Sequence, residues 1–162
     1  MKEIQIRGFE KRDIPAMTEL WNRVVAEGRA FPQTEALSAE EAARFFAGQS
    51  FTGVAETGGQ LAGLYVLHPN NVGRCGHLAN ASYAVRDGFR GLHIGERLVR
   101  HSLAKGRELG FGVLQFNAVV ASNLPAIRLY EKLGFVRLGT VPGGFLNREA
   151  VYEDIILFYH VL

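Results

Sequence analysis

Apolar and polar residues alternate from Lys2 to Arg7 (KEIQIR), the period of a strand with one buried face. The period then lengthens. Between Lys11 and Glu27, the residues Ile14, Met17, Leu20, Trp21, Val24 and Val25 recur at three- and four-residue spacing, which predicts a helix with one apolar face, entered at Asp13 with Pro15 in its first turn. Residues 27–37 (EGRAFPQTEAL) show no period and read as a loop. Ser38 followed by Glu41 is a capping-box pattern that opens a short helix to Ala47. Two strand-like runs, FTGVAE and QLAGLYVLH, flank Thr57, Gly58 and Gly59 and predict a hairpin.

The second half repeats strand and helix in alternation. HLANASYAV (77–85) is an apolar strand-like run. After it Gly95, Leu98, Val99, Ser102, Leu103 and Gly106 share one face of a helix that ends near Gly110. GVLQFNAVV (112–120) is the next strand, and SNLPAIRLYEKLGF (122–135) supplies a cap, an early proline, amphipathic turns and a stopping glycine at Gly134. FVRLGTV, a Pro-Gly-Gly turn at 142–144 and AVYEDIILFYHVL give two closing strands. The order β-α-α-β-β-β-α-β-α-β-β mixes hairpins with a βαβ crossover through 77–117. It predicts a single α/β domain over residues 1–162 built on a mixed sheet.

Composition narrows the class. At 162 residues, 48% hydrophobic and 21% charged, with a mean hydropathy of +0.03, the chain has the makings of one globular domain. The net charge is +2 and the pI about 8.9, with Lys and Arg dispersed among acids, so no nucleic-acid partner is expected. MKEIQIRGFE lacks the apolar core of a signal peptide, and no uncharged run reaches membrane-spanning length. Cys75 is the one cysteine, which excludes an intrachain disulfide and any multi-cysteine metal site. These features point to a cytoplasmic protein with no membrane partner and no metal.

The informative stretch is FRGLHIGERL, residues 89–98, where a glycine-containing loop runs from a strand into a helix. Unpaired N–H groups and the helix dipole make such a junction attractive to anions, and Arg90 adds a planar cationic fork suited to phosphate. A nucleoside-triphosphate loop would read GxxxxGK followed by Ser or Thr; here Glu96 stands in the lysine position and the glycine interval is wrong. The dinucleotide pattern GxGxxG is absent as well.

Arg90, Gly91, Leu92, His93, Ile94 and Gly95 resemble the phosphate loop of the GCN5-related N-acetyltransferases: Arg or Gln, two free positions, Gly, one free position, then Gly or Ala. His93 replaces the middle glycine. SNLPAIRLYEKLGF is similar to that family's second signature, an asparagine followed by an alanine, a tyrosine and an LGF ending. The two motifs span the last half of the chain in the expected order. The resemblance implies a sheet whose central parallel strands splay apart, with the pantetheine arm of acetyl-CoA lying in the gap as a pseudo-strand. It places the diphosphate on the amides from Gly91 to Glu96, a backbone N–H near Ala84 or Val85 on the thioester carbonyl, Asn123 on the arm, and Tyr130 as the acid that protonates the departing sulfur.

Other readings of these residues stay open. Asn123 is equally a helix cap, and Tyr130 equally a packed core tyrosine beside Ile127 and Leu133. Many relatives carry a glutamate base on the strand before the loop, but the corresponding residue is Ala79 and 77–85 holds no carboxylate. Asn80 and Asn117 resemble a subgroup that acts on proline-like secondary amines, where an amide orients the amine or the acetyl group; either could instead be a buried amide offsetting a sheet irregularity. The acceptor pocket is expected between residues 28–37 and 142–149, walled by Phe31, Phe145 and Tyr152. Asp154 is either an attractor for the acceptor cation or an ion-pair partner of Arg148. The expected activity is acetyl transfer to a small amine, with a homodimer as a compatible assembly; a non-catalytic acyl-CoA-binding module is the alternative.

Overall fold

The computed structural model describes residues 3–162, so Lys2 of the first expected strand lies outside the described residues. Strand β1 (Ile4–Gly8) leads through a 3-10 turn (Lys11–Asp13) into α1 (Ile14–Glu27) and then α2 (Ala39–Ala47). The hairpin β2 (Phe51–Thr57) and β3 (Gln60–Pro69) follows, then β4 (Leu78–Val85), α3 (Ile94–Glu108), β5 (Val113–Val120), α4 (Leu124–Lys132), β6 (Val136–Leu146) and β7 (Tyr152–Val161). Among the described residues seven strands form one sheet in the order β1-β2-β3-β4-β5-β7-β6, and β4–β5 is its parallel pair. No helix among the described residues is long and apolar enough to cross a membrane.

Local chemistry fixes the element ends. Ser38 accepts the Glu41 amide at 3.2 Å while Glu41 accepts the Ser38 amide at 2.7 Å, the reciprocal box that starts α2. Helix α1 stops at Gly28, which turns left-handed at φ 61°. A side chain there would place its Cβ 2.8 Å from the Arg148 Cβ, so glycine meets both the conformation and the close approach of the β6–β7 turn.

The sheet is covered on both faces. Met17, Leu20 and Trp21 from α1 and Phe46 from α2 pack on Val54, Leu64 and Val66, all at most 2% exposed. Leu98 and Val99 of α3 and Ile127 of α4 pack on the opposite face against Tyr65, Leu67, Ala79, Leu114 and Phe116. Burying side chains of this size stabilises by about 1.5–3 kcal/mol each, which anchors the strands that carry the site.

One predicted turn is replaced by strand. Pro142, Gly143 and Gly144 do not end β6; they form a bulge, three residues opposite Asp154 alone, between the Val141–Ile155 and Phe145–Glu153 pairs. The Asp154 carboxylate accepts the Gly143 amide at 2.9 Å and Gly144 lies against Ile155, so the ladder is interrupted and resumes. The chain reverses later, where Asn147 donates its amide to the Val151 carbonyl at 2.9 Å.

Candidate active site

Strands β4 and β5 pair only at Leu78–Val113 and Ala79–Leu114 and then separate. On its other side β4 stays laddered to β3 as far as Val85, and the Arg86 amide still donates to the Ala62 carbonyl at 2.8 Å. That bond sets the alternation: Ala84 is tied into β3, whereas Tyr83 and Val85 turn their amides toward the gap. Of the two residues expected at the thioester carbonyl, Val85 therefore has the free donor. On the far side β5 carries its own irregularity, with Asn117 and Ala118 together opposite Leu157.

Asn80 stands where the strands part. Its Oδ1 accepts the Ala81 amide at 2.8 Å, one residue past the last β4–β5 pair. Asn117 and Asn70 exchange amide hydrogen bonds, 2.6 Å and 3.2 Å, and Gln115 donates to Asn117 at 3.1 Å. Both Asn80 and Asn117 face a cavity of about 230 Å³, together with Phe31, Tyr83, Asn123 and Tyr130. Tyr130 packs on Phe116 at 4.5 Å between centroids, and its hydroxyl has no protein partner among the described residues. Burial pushes that phenol above its ordinary range, so it stays protonated. Ala79 points into the core under α3 and is fully buried, so this position offers the cavity no polar group.

A second cavity of about 490 Å³ adjoins the first, sharing Tyr83 and Asn123 as walls. Val85, Arg90, Gly91, His93, Ile94 and Gly95 line it on the side of the loop. The amides from Arg90 to Glu96 donate to no protein acceptor among the described residues, since α3 makes its first internal bond at Arg97. His93 holds φ 57°, the left-handed conformation that glycine tolerates best, which explains the glycine of the related pattern. Arg90 is exposed and lies 3.4 Å from Asp87. Leu92 is exposed outside the cavity. The Glu96 carboxylate is taken by Lys132 at 2.7 Å and Arg100 at 2.8 Å, which hold it down to about pKa 2 and pin α4 to the start of α3.

The third cavity, about 440 Å³, lies between the loop after α1 and the end of β6, with Gly28, Phe31, Pro32, Phe145, Asn147 and Arg148 among its walls. It shares Phe31 and Pro32 with the first cavity. Tyr152 and Asp154 stand outside all three: Tyr152 is 70% exposed, and Asp154 is occupied with the Gly143 amide rather than with Arg148. Asn123 accepts the Ala126 amide at 3.4 Å and still lines two cavities, so capping and site-lining coexist in one side chain.

The sequence reading passes over Tyr83 and Asn70. Tyr83 sits at the junction of two cavities, its hydroxyl 2.7 Å from Ser102 Oγ. Ser102 gives its own proton to the Val99 carbonyl, so Tyr83 is the donor of that bond. Strand parity with Val85 is the signal that could have found it; Asn70 pairs across 47 residues and leaves no local trace.

The model of the acetyltransferase (GNAT) family covers residues 14–135. A GCN5-related N-acetyltransferase from Kribbella flavida is 31% identical and superposes with TM-score 0.90 over 98% of each chain. A phosphinothricin acetyltransferase from Sinorhizobium meliloti, in complex with AcCoA, shares the fold at TM-score 0.89 and 20% identity, over 98% of this chain and 88% of that one. N-acetyltransferase aca1 of Schizosaccharomyces pombe is 35% identical over 62% of this chain and 49% of its own length, so the chain spans about half of that relative. The chain belongs to the acetyltransferase (GNAT) family, whose N-acetyltransferases draw the acetyl group from acetyl-CoA.

Proposed function

We propose that the protein acetylates the amine of a small amino acid-like acceptor by direct attack on acetyl-CoA in a ternary complex. The observation that carries this reading is the pair of cavities sharing Phe31 and Pro32, about 230 and 440 Å³, behind the strand gap. They are roofed by the chain's own loops, of a size for a small molecule. Arg148 lines the outer one and makes no ion pair among the described residues, which suits an acceptor carboxylate. No acidic side chain among the described residues lines either cavity, so a basic peptide tail finds no complementary charge.

In this reading the diphosphate rests on the amides from Gly91 to Glu96 with Arg90 swinging from Asp87 to meet it. The arm lies along Tyr83 and Val85, reaches Asn123, and ends with its sulfur beside Tyr130. The narrower acceptor class is a proline-like secondary amine, supported by Asn80 and Asn117 on the inner wall. Their remaining hydrogen-bonding capacity is available to orient an amine. The lone exposed thiol, Cys75, is compatible with action in the reducing cytoplasm. Strand β6 is an edge with exposed Val136, Leu138, Val141 and Leu146, a surface that suits pairing with a second copy.

The test is thiol release from acetyl-CoA with L-phosphinothricin, L-proline, L-azetidine-2-carboxylate and a lysine-rich peptide. Turnover of the small acids, with a KM raised at least tenfold in Arg148→Ala, is the expected result. Turnover of the peptide alone overturns the acceptor class.

A further inference from the structure

A protonated acceptor amine must lose a proton before its nitrogen can attack, and β4, LANASYAV, carries no carboxylate. The three joined cavities narrow the alternatives. Among the described residues two carboxylates line them, Asp87 and Glu27. Asp87 is occupied at the phosphate loop, 3.4 Å from Arg90 and 3.7 Å from Arg23. Glu27 has no ion pair or hydrogen bond among the described residues. His93 also lines a cavity, but it stands within the phosphate loop, at the far end from Tyr130.

Helix geometry places Glu27 toward the reaction end. Leu20, Arg23, Val24 and Glu27 are one face of α1 and line the 490 Å³ cavity together. Arg23 meets the phosphate loop through Asp87, and Glu27 lies one turn further on, roughly 6 Å along the axis. The next residues, Ala30, Phe31 and Pro32, roof the cavity that holds Tyr130. The end of α1 is held firmly, because the Gly28 carbonyl accepts the Arg148 amide at 3.1 Å.

We infer that Glu27, the unpaired carboxylate of α1 lining the channel, is the general base of the acetyl transfer, supplied from α1 rather than from β4. This rests on the acceptor reading above. The acceptor nitrogen bonds to the acetyl carbon and the carbon–sulfur bond breaks. The Glu27 carboxylate takes the proton of the acceptor ammonium before that attack, the proton the nitrogen sheds after attack goes to solvent, and the Tyr130 hydroxyl gives its proton to the sulfur. Solvent afterwards takes the proton from Glu27 and returns one to Tyr130.

The test compares Glu27→Gln, which keeps shape and removes basicity, with Glu27→Asp. With L-phosphinothricin or whichever panel amine the wild type uses best, Glu27→Gln is expected to lower kcat by about 10²–10³-fold. Glu27→Asp recovers part of the loss. With hydroxylamine, whose nitrogen is already neutral at the assay pH, the Glu27→Gln loss falls below about tenfold. Acetyl-CoA affinity and melting temperature stay at the wild-type values, since Glu27 is exposed in an open channel. A Glu27→Gln rate close to wild type overturns the assignment alone, as does an equal loss with both acceptors. A wild type inert with every amine overturns the acceptor reading and this one together.

Discussion

The Asn80 side chain accepts the amide of its own neighbour, Ala81, at 2.8 Å, one residue beyond the last rung joining β4 to β5. An amide released from a parallel ladder inside the protein needs a new acceptor. Ala81 is 7% exposed, and Asn80 supplies that acceptor locally. The splay is thus partly written into the sequence at Asn80, one residue after pairing stops.

Asn80→Ala is therefore expected to lower unfolding free energy by about 1–3 kcal/mol, the cost of stranding a buried donor. Asn80→Asp keeps an oxygen in place and recovers most of that loss. Urea unfolding of the two variants checks it, and equal midpoints for Asn80→Ala and wild type would remove the capping role.

His93 presents the opposite situation, a side chain where the backbone prefers none. Its φ of 57° is held by a residue with a Cβ, at a cost of about 1–2 kcal/mol relative to a right-handed conformation. His93→Gly is expected to raise stability by about 0.5–1 kcal/mol, part of the relief being offset by glycine's greater freedom in the unfolded chain. Acetyl-CoA binding, measured by calorimetric titration, should hold or improve, because the proposed binding mode draws on backbone amides as donors. A His93→Gly protein that binds acetyl-CoA at least tenfold more weakly would show instead that the imidazole contacts the ligand.

Local signals made much of this fold legible. The Ser38–Glu41 box, the Thr57–Gly59 hairpin and the Asn123 cap all form as their spacing predicts, because each depends on neighbours in sequence. The Pro-Gly-Gly segment misled because a bulge and a turn use the same residues; the deciding contacts, Asp154 on Gly143 and Ile155 against Gly144, come from the next strand. The same limit applies at the site. Tyr130 and Asn123 carry recognisable motifs, whereas Glu27 reaches the channel by the packing of α1 across β4, a contact with no periodicity of its own.

Tyr130 yields a prediction that separates chemistry from packing. Its ring lies against Phe116, Phe135 and Phe158, with centroids 4.5, 5.4 and 5.9 Å away, so Tyr130→Phe preserves every aromatic contact. The hydroxyl has no protein partner among the described residues, and its removal should change unfolding free energy by less than about 0.5 kcal/mol. The turnover should fall at least tenfold while acetyl-CoA affinity stays within about twofold, the mark of a group needed when sulfur departs. The pH dependence follows from burial, which raises the phenol above its ordinary pKa of about 10. A raised pKa keeps the donating, protonated form present throughout the range below it, so kcat should show no falling limb from Tyr130 between pH 7 and 10. A falling limb in that window that disappears in Tyr130→Phe would mean that the phenol ionises there, and it would remove Tyr130 as the acid.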